Sequence, residues 1–357
     1  MDASTSHIDE DKLMSFAMRT IDDIAAGYTG VMVSLGSKLG LYKALAGAGP
    51  LSAGEVASRA GCSGRYVQEW LNAQAASGYL VYHGVSETYE LAPEQAAVLA
   101  DEDSPFFIPH AWNVPASMWF DEAQAIDAVR TGKGVAWGEH HECMSCGVAA
   151  FYRNGYRASL VQQWLPALDG VVQQLEAGME VADIGCGHGH STLLMAQAFP
   201  RSRFHGFDTH AGSIAEARRH ADQAGVADRV RFDFARAIDY PDRRYGLICF
   251  FDVLHDLGDP VAAARHAAAT LAPGGTLLLI EPFCHDRVED NVGTVSQLYY
   301  SASTVICCAH AISEGGRMVL GAQAGPARLE EVFRKAGFTH FRRAAETPFN
   351  LIFEIRK

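Results

Sequence analysis

The sequence predicts an α/β protein. Its core is a doubly wound, seven-stranded sheet with a terminal antiparallel hairpin, preceded by a mainly helical domain of winged-helix plan. Three observations predict this. From about residue 171 short apolar runs alternate with helical periodicity. A glycine-spaced turn joins the first run to a helix, and a lone acid, Asp208, follows the second. Upstream, helical patterns and one short hairpin occupy the first hundred residues.

The N-terminal elements follow from spacing. Leu13, Phe16, Ala17, Ile21, Ile24, Ala25 and Tyr28 keep a three/four period, which predicts an amphipathic helix. A second helix is expected over 31–45, broken from the first near Gly27 and Gly30. The wide apolar faces suit a dimer interface, an interdomain seam or packing within the chain. Ser52 and Glu55 form a capping box for a helix over 52–60. A turn at 61–64, a helix over 66–77 stopped by Gly78, and strands at 79–82 and 89–91 complete a winged-helix plan. Such plans often bind DNA, but residues 28–100 hold four Lys or Arg against five Asp or Glu, and the whole chain carries a formal charge of −13. Neither nucleic acid nor an anionic membrane is an expected partner.

Residues 104–150 are rich in aromatics (Phe106, Phe107, Trp112, Trp119, Phe120, Trp137), which fits a pocket wall or packing between domains. The expected organisation is a helical and winged-helix domain at 1–105 with a dimerisation or lid role, connecting helices at 106–170, and the sheet domain at 171–357. Strands are predicted at 180–184, 203–207, 230–234, 247–251 and 276–281; the runs at 247–251 and 277–280 are apolar on both faces, as a buried parallel strand requires. Helices are predicted at 191–199, 213–224 and 261–271, the last capped by Asp259 with Pro260 at its first position. A helix at 327–336, stopped by Gly337, precedes strands at 339–343 and 350–355. Hydrophobic residues make up 48% of the chain, enough for a full core. Eight scattered cysteines behind a polar, acidic start at 1–12 suggest a reduced, cytoplasmic setting. No apolar run has the length of a membrane span.

Residues 181–191 read Val-Ala-Asp-Ile-Gly-Cys-Gly-His-Gly-His-Ser. A glycine turn at a helix N-terminus lets a ligand approach the backbone. The dinucleotide fingerprint G-x-G-x-x-G would need glycine where His190 stands. Here Gly185, Gly187 and Gly189 alternate, and Asp183 precedes them, suited to a cationic ligand group rather than a pyrophosphate. Asp208 suits a ribose diol. This pattern resembles motif I of class I S-adenosylmethionine (SAM) dependent methyltransferases, whose sheet is Rossmann-like. The resemblance implies SAM as cofactor, held by Asp183, Gly185, Cys186, Gly187 and Asp208. It places Ala235 and Arg236 near adenine, where many relatives carry an acid instead of Arg236. Phe251 and Asp252 border the methionine end.

Methyl transfer to a hydroxyl needs alignment and a proton acceptor. His255 and Glu281, at the ends of adjacent predicted strands, suit a base and the carboxylate that orients it. A winged-helix region followed by such a domain resembles the bacterial small-molecule O-methyltransferases. In them a His-Asp pair, matched by His255 and Asp256, supplies the base, and a Glu matched by Glu281 supports it. The resemblance implies a small-molecule acceptor, and the wide apolar faces of the N-terminal helices lead to the expectation of a homodimer. Tyr152, Tyr156 and Arg157 are candidate ligand-capping residues. His140, His141, Cys143 and Cys146 crowd into seven residues with no second ligand pair, so no metal is expected. Two alternatives stay open: a metal-assisted methyltransferase and a SAM-sensing DNA-binding regulator.

Overall fold

A computed structural model describes residues 8–357. The first seven residues of the expected N-terminal domain, and of its polar start, lie outside the described residues. The chain divides into two compact units, Met1–Asn113 and Val114–Lys357.

In the first unit, α1 (Glu10–Lys38) is capped by Asp9, whose side chain accepts from Lys12 N. It runs without a break, contrary to the interruption expected near Gly27 and Gly30. Gly30 is there for packing: a Cβ would lie 2.3 Å from the Trp112 ring. The helix ends instead just before Gly40, whose φ of +69° starts α2 (Leu41–Leu45). Ser52 and Glu55 make the predicted capping box on α3 (Ala53–Ala60), a contribution of about 1 kcal/mol. The helix α4 (Gly64–Ala76), the antiparallel pair β1 (Val81–His83) and β2 (Thr88–Glu90), and α5 (Pro93–Leu99) follow. Val33, Leu41, Tyr42, Leu45, Val56, Trp70 and Leu71 are buried together. The N-terminal half of α1 leaves Leu13, Phe16, Ile21 and Ile24 exposed, so among the described residues packing within the first unit does not cover that apolar face.

The second unit opens with α6 (Asn113–Phe120), α7 (Glu122–Thr131), α8 (Cys143–Ser159) and α9 (Val171–Ala177). The alternating part then runs β3 (Glu180–Ile184), α10 (His190–Ala198), β4 (Arg203–Asp208), α11 (Ala211–Gln223), β5 (Val230–Phe234), β6 (Tyr245–Phe251), α12 (Pro260–Thr270) and β7 (Leu271–Pro282). After it come α13 (Thr294–Ala302), a π-helical turn (Ser303–Cys307), α14 (Cys308–Ser313), α15 (Pro326–Lys335), β8 (His340–Glu346) and β9 (Asn350–Arg356).

The sheet order is β5-β4-β3-β6-β7-β9-β8. β3 to β7 are parallel, and β9 runs antiparallel to both β7 and β8. The apolar runs pack both faces: Val181, Phe204, Leu247 and Leu278 on one side, Ile184, Phe207, Ile248 and Leu279 on the other. Each such side chain contributes roughly 1.5–3 kcal/mol of burial. The order reverses between β3 and β6. In doubly wound sheets ligands bind in the crevice outside the carboxyl ends at such a point. Among the described residues no helix is long and apolar enough to cross a membrane.

Candidate active site

The turn after β3 is built from positive φ. Gly185, Gly187 and Gly189 have φ of +70°, +51° and +78°. A Cβ on Gly185 would lie 2.3 Å from Val253, and one on Gly189 would lie 2.6 Å from the Phe232 ring. Gly187 differs: nothing lies within 4 Å of where its Cβ would stand. The outer glycines close the packing, and the middle one leaves bare backbone facing a cavity of about 340 Å³.

Eight of the nine residues expected to hold the cofactor line that cavity: Gly185, Cys186, Gly187, Asp208, Ala235, Arg236, Phe251 and Asp252. Asp183 does not. Its Oδ2 instead accepts the Ser191 and Thr192 hydroxyls at 2.7 and 2.5 Å, tying the first turn of α10 to β3. Its Oδ1 is buried with no hydrogen-bond partner. Burial lifts this carboxyl to about 6 despite those two bonds. Asp208 accepts from Gly187 N at 2.9 Å and His210 N at 2.8 Å, so one carboxylate shapes the turn from the neighbouring strand. Burial raises its pKa as well. Arg236 pairs with Asp239 at 2.6 Å, which occupies the guanidinium. His190, in the place of the third dinucleotide glycine, is on the wall. Burial first, then His220 and His188, lower it to about 3, so it is neutral.

Asp252 ends β6 at φ +53°, a left-handed conformation that costs a non-glycine residue roughly 1–2 kcal/mol. It is held by its N–H to Ile280 O (2.8 Å), by Asn350 Nδ2 (2.9 Å) and by the Tyr156 hydroxyl (3.4 Å). Burial, followed by the charge on Glu281, pushes its carboxyl well above the usual range. Tyr152 and Tyr156, stacked with centroids 6.0 Å apart, line the cavity, and Arg157 does not. Asn350 had no sequence signal: it reaches Asp252 only because β9 inserts beside β7.

The structure brings His255 and Glu281 together. His255 Nδ1 lies 2.5 Å from Glu281 Oε2, and Glu281 Oε1 accepts from Leu254 N at 3.0 Å. His255 Nε2 faces Asp256 Oδ1 at 3.3 Å. Burial pulls the imidazole pKa down, but the charges on Glu281 and Asp256 outweigh it and raise it well above normal. Neither His255 nor Glu281 lines the cavity, whereas Asp256 does. The acid–base pair therefore stands one side chain behind the wall.

The His140 to Cys146 segment does not converge on a point. His140 pairs with Asp121 at 3.0 Å, and His141 stacks on Phe120 with centroids 4.2 Å apart. Cys146 is exposed. Among the described residues the one grouping with metal-ligand proximity is His255, Asp256 and Cys307.

A sequence family described as "Methyltransferase domain" matches residues 175–337. The chain carries a methyltransferase domain. Residues 27–101 match the "Rv2258c-like winged HTH domain", so the N-terminal helices and hairpin are a winged helix. The chain is 36% identical, across 107 residues, to the 27-O-demethylrifamycin SV methyltransferase of Amycolatopsis mediterranei (strain S699). It is 34% identical across 108 residues to the trans-aconitate 2-methyltransferase of Paracidovorax citrulli (strain AAC00-1). These stretches cover 29% and 30% of this chain, and only 39% and 40% of those relatives. The fold extends further. The mitomycin 7-O-methyltransferase MmcR superposes with a TM-score of 0.68 at 18% identity, covering 97% of this chain and 100% of that one. Human N-acetylserotonin methyltransferase, solved with SAM, gives 0.70 at 19%, covering 100% and 99%. NcsB1, solved with SAM and 2-hydroxy-5-methyl naphthoic acid, gives 0.62 at 19%, covering 99% of both.

Proposed function

We propose that this protein transfers a methyl group from SAM to a hydroxyl of a small molecule, with His255 as general base and Glu281 as the group that orients it. One observation carries the proposal: the bare Gly187 backbone and Asp208 face the same cavity that the His255, Asp256 and Glu281 cluster backs. The residues present fit SAM. The unfilled space at Gly187 accommodates a ligand against the main chain, and the Asp208 carboxylate lines the same cavity. When bound, SAM supplies a methyl group already activated on a sulfonium.

The chain's own residues do the rest. The 185–187 backbone holds the amino-acid end, and Asp208 accepts from the ribose diol. The Ala235 and Arg236 segment borders adenine, while Phe251 and Asp252 border the methionine end. Tyr152 and Tyr156 help enclose the cavity and limit water. Swinging the Asp256 carboxylate aside opens His255 Nε2 to the acceptor hydroxyl. Nε2 takes its proton, and Glu281 stabilises the imidazolium that results.

A second copy of the chain is proposed to cover the exposed apolar face of α1, making the winged-helix domain a dimerisation element in a cytoplasmic homodimer. Sedimentation of the wild type against Phe16→Asp and Ile24→Asp checks this: wild-type dimers should become monomers. DNA regulation is disfavoured because Arg65, at the start of α4, is already paired with Glu69.

The activity test is direct. Purified protein with SAM and a panel of phenolic and other hydroxylated small molecules should yield product one methyl group heavier by mass spectrometry. Methylation confined to nitrogen or carbon acceptors would remove the hydroxyl assignment.

A further inference from the structure

The run Cys143-Met144-Ser145-Cys146 takes no part in the donor site or the proton-transfer cluster, yet it opens the helix that walls the cavity. Cys143 is the first residue of α8, so Cys146 is the fourth. Both are free thiols, Cys146 exposed and Cys143 half-buried. Among the described residues Cys146 is the one exposed cysteine. Cys186, Cys249, Cys284 and Cys307 are buried, which shields them from thiol exchange.

Helix geometry sets the distance between the pair. Residues three apart on an α-helix have Cα atoms about 5 Å apart, inside the roughly 4.4–6.8 Å range of disulfide-bonded cysteines. Their Cβ atoms stand about 5–6 Å apart, while a disulfide draws them to roughly 3.5–4.5 Å. Closing the bond therefore tightens the first turn by about 1 Å. That turn deforms most easily, because its N–H groups have no partners inside the helix. Here the Cys143 N–H donates to His141 Nδ1 at 3.2 Å instead. C-x-x-C at a helix start is also the arrangement of dithiol redox pairs.

The same turn reaches the cavity. Ser145, enclosed by the two cysteines, lines it, and so do Val148, Ala149, Tyr152 and Tyr156 from the rest of α8. Met144 is 1% exposed and anchored in the interior, so the displacement falls on Ser145 and the wall that follows it.

We propose that Cys143 and Cys146 form a reversible intramolecular disulfide, and that closing it reshapes the α8 wall and weakens SAM binding. The oxidant is a small disulfide of the glutathione class. The exposed Cys146 thiolate attacks one of its sulfurs, forming a mixed disulfide and releasing one small thiol. The Cys143 thiolate then attacks the Cys146 sulfur and releases the second. The two cysteines lose two electrons and two protons, and the small disulfide gains both. A disulfide that is exposed and closed against the helix spacing is readily reduced, so the step reverses. Linkage makes bound SAM oppose closing by the factor by which closing weakens SAM. The pairing of the cysteines stands on their own geometry, while the coupling rests on the donor site proposed above.

Full-length protein is equilibrated in mixtures of oxidised and reduced glutathione, and free thiols are then capped by alkylation. Peptide mass spectrometry should show residues 143 and 146 joined, with two hydrogens lost, in the oxidised mixtures, and both capped in the reduced ones. Cys143→Ser should stop at a glutathione adduct on Cys146. Calorimetry should show SAM binding several-fold more weakly to the oxidised wild type, and equally to Cys146→Ser in both mixtures. Saturating SAM should move the wild-type midpoint toward more oxidising mixtures by the same factor. Two capped thiols in every mixture, or a wild-type adduct on Cys146 that never resolves, overturns the disulfide. Equal SAM affinity in the two states overturns the coupling. Reduced protein that fails to bind SAM overturns the proposed function and the coupling with it, while the disulfide is still read by mass.

Discussion

Two loops at the carboxyl ends of neighbouring strands are made in opposite ways. The turn after β3 works by leaving side chains out: three glycines at positive φ, with the middle one open to the cavity. The cluster after β6 and β7 works by gathering side chains in. His255 and Asp256 come from one loop, Glu281 from β7, Cys307 from a π turn, Asn350 from β9 and Tyr156 from α8. The first region presents a surface, and its properties are local. The second is an electrostatic assembly in which each charge sets the state of its neighbours. Donor binding and proton transfer should therefore respond to different substitutions.

The largest separation is expected at His255. His255→Ala should lower turnover by about 10²–10⁴-fold while SAM affinity stays within about twofold, read by steady-state kinetics beside calorimetry. A parallel collapse of affinity would merge the two regions. Asp208→Ala should show the reverse pattern. Loss of charge-assisted hydrogen bonds of about 1.5–3 kcal/mol weakens SAM roughly 10–100-fold, with turnover at saturating donor largely kept. Within the turn itself, Gly187→Ala should cost roughly tenfold in SAM affinity with a small change in melting temperature. Gly185→Ala should lower the melting temperature by several degrees more, because its new methyl meets Val253. The smallest effect is on pH. Glu281 and Asp256 raise the His255 pKa, and a base acts only when deprotonated, so the rate should climb with pH through an ionisation above the ordinary histidine value. Glu281→Gln removes the larger of those charges and should move that limb to lower pH by about one unit. An unmoved limb would assign the ionisation elsewhere.

The same contrast explains what was legible in the sequence. The turn is local, so the spacing of Gly185, Gly187 and Gly189 and the acid at 208 placed it on the cavity. Apolar runs marked the central strands, the short link around Pro348 marked the closing hairpin, and the Ser52 and Glu55 box marked α3. Gly30 misled, because a helix keeps a glycine where an aromatic ring needs room, and only tertiary contact with Trp112 reveals that. Asp183 was assigned to the ligand, yet its carboxylate is spent partly on Ser191 and Thr192, a contact that appears only once α10 folds back over β3. Cys307 and Asn350 stand far along the chain from His255 and Asp252. Periodicity does not pair residues across such distances; the sheet order and the π turn do.

Calorimetric titration of the wild-type protein with SAM, and in parallel with NAD, tests most directly whether the open glycine turn is a donor site. Saturable one-to-one binding of SAM, weakened by Asp208→Ala and with no heat from NAD, is the predicted result. Binding of NAD without SAM, or SAM binding indifferent to both Gly187→Ala and Asp208→Ala, would contradict it.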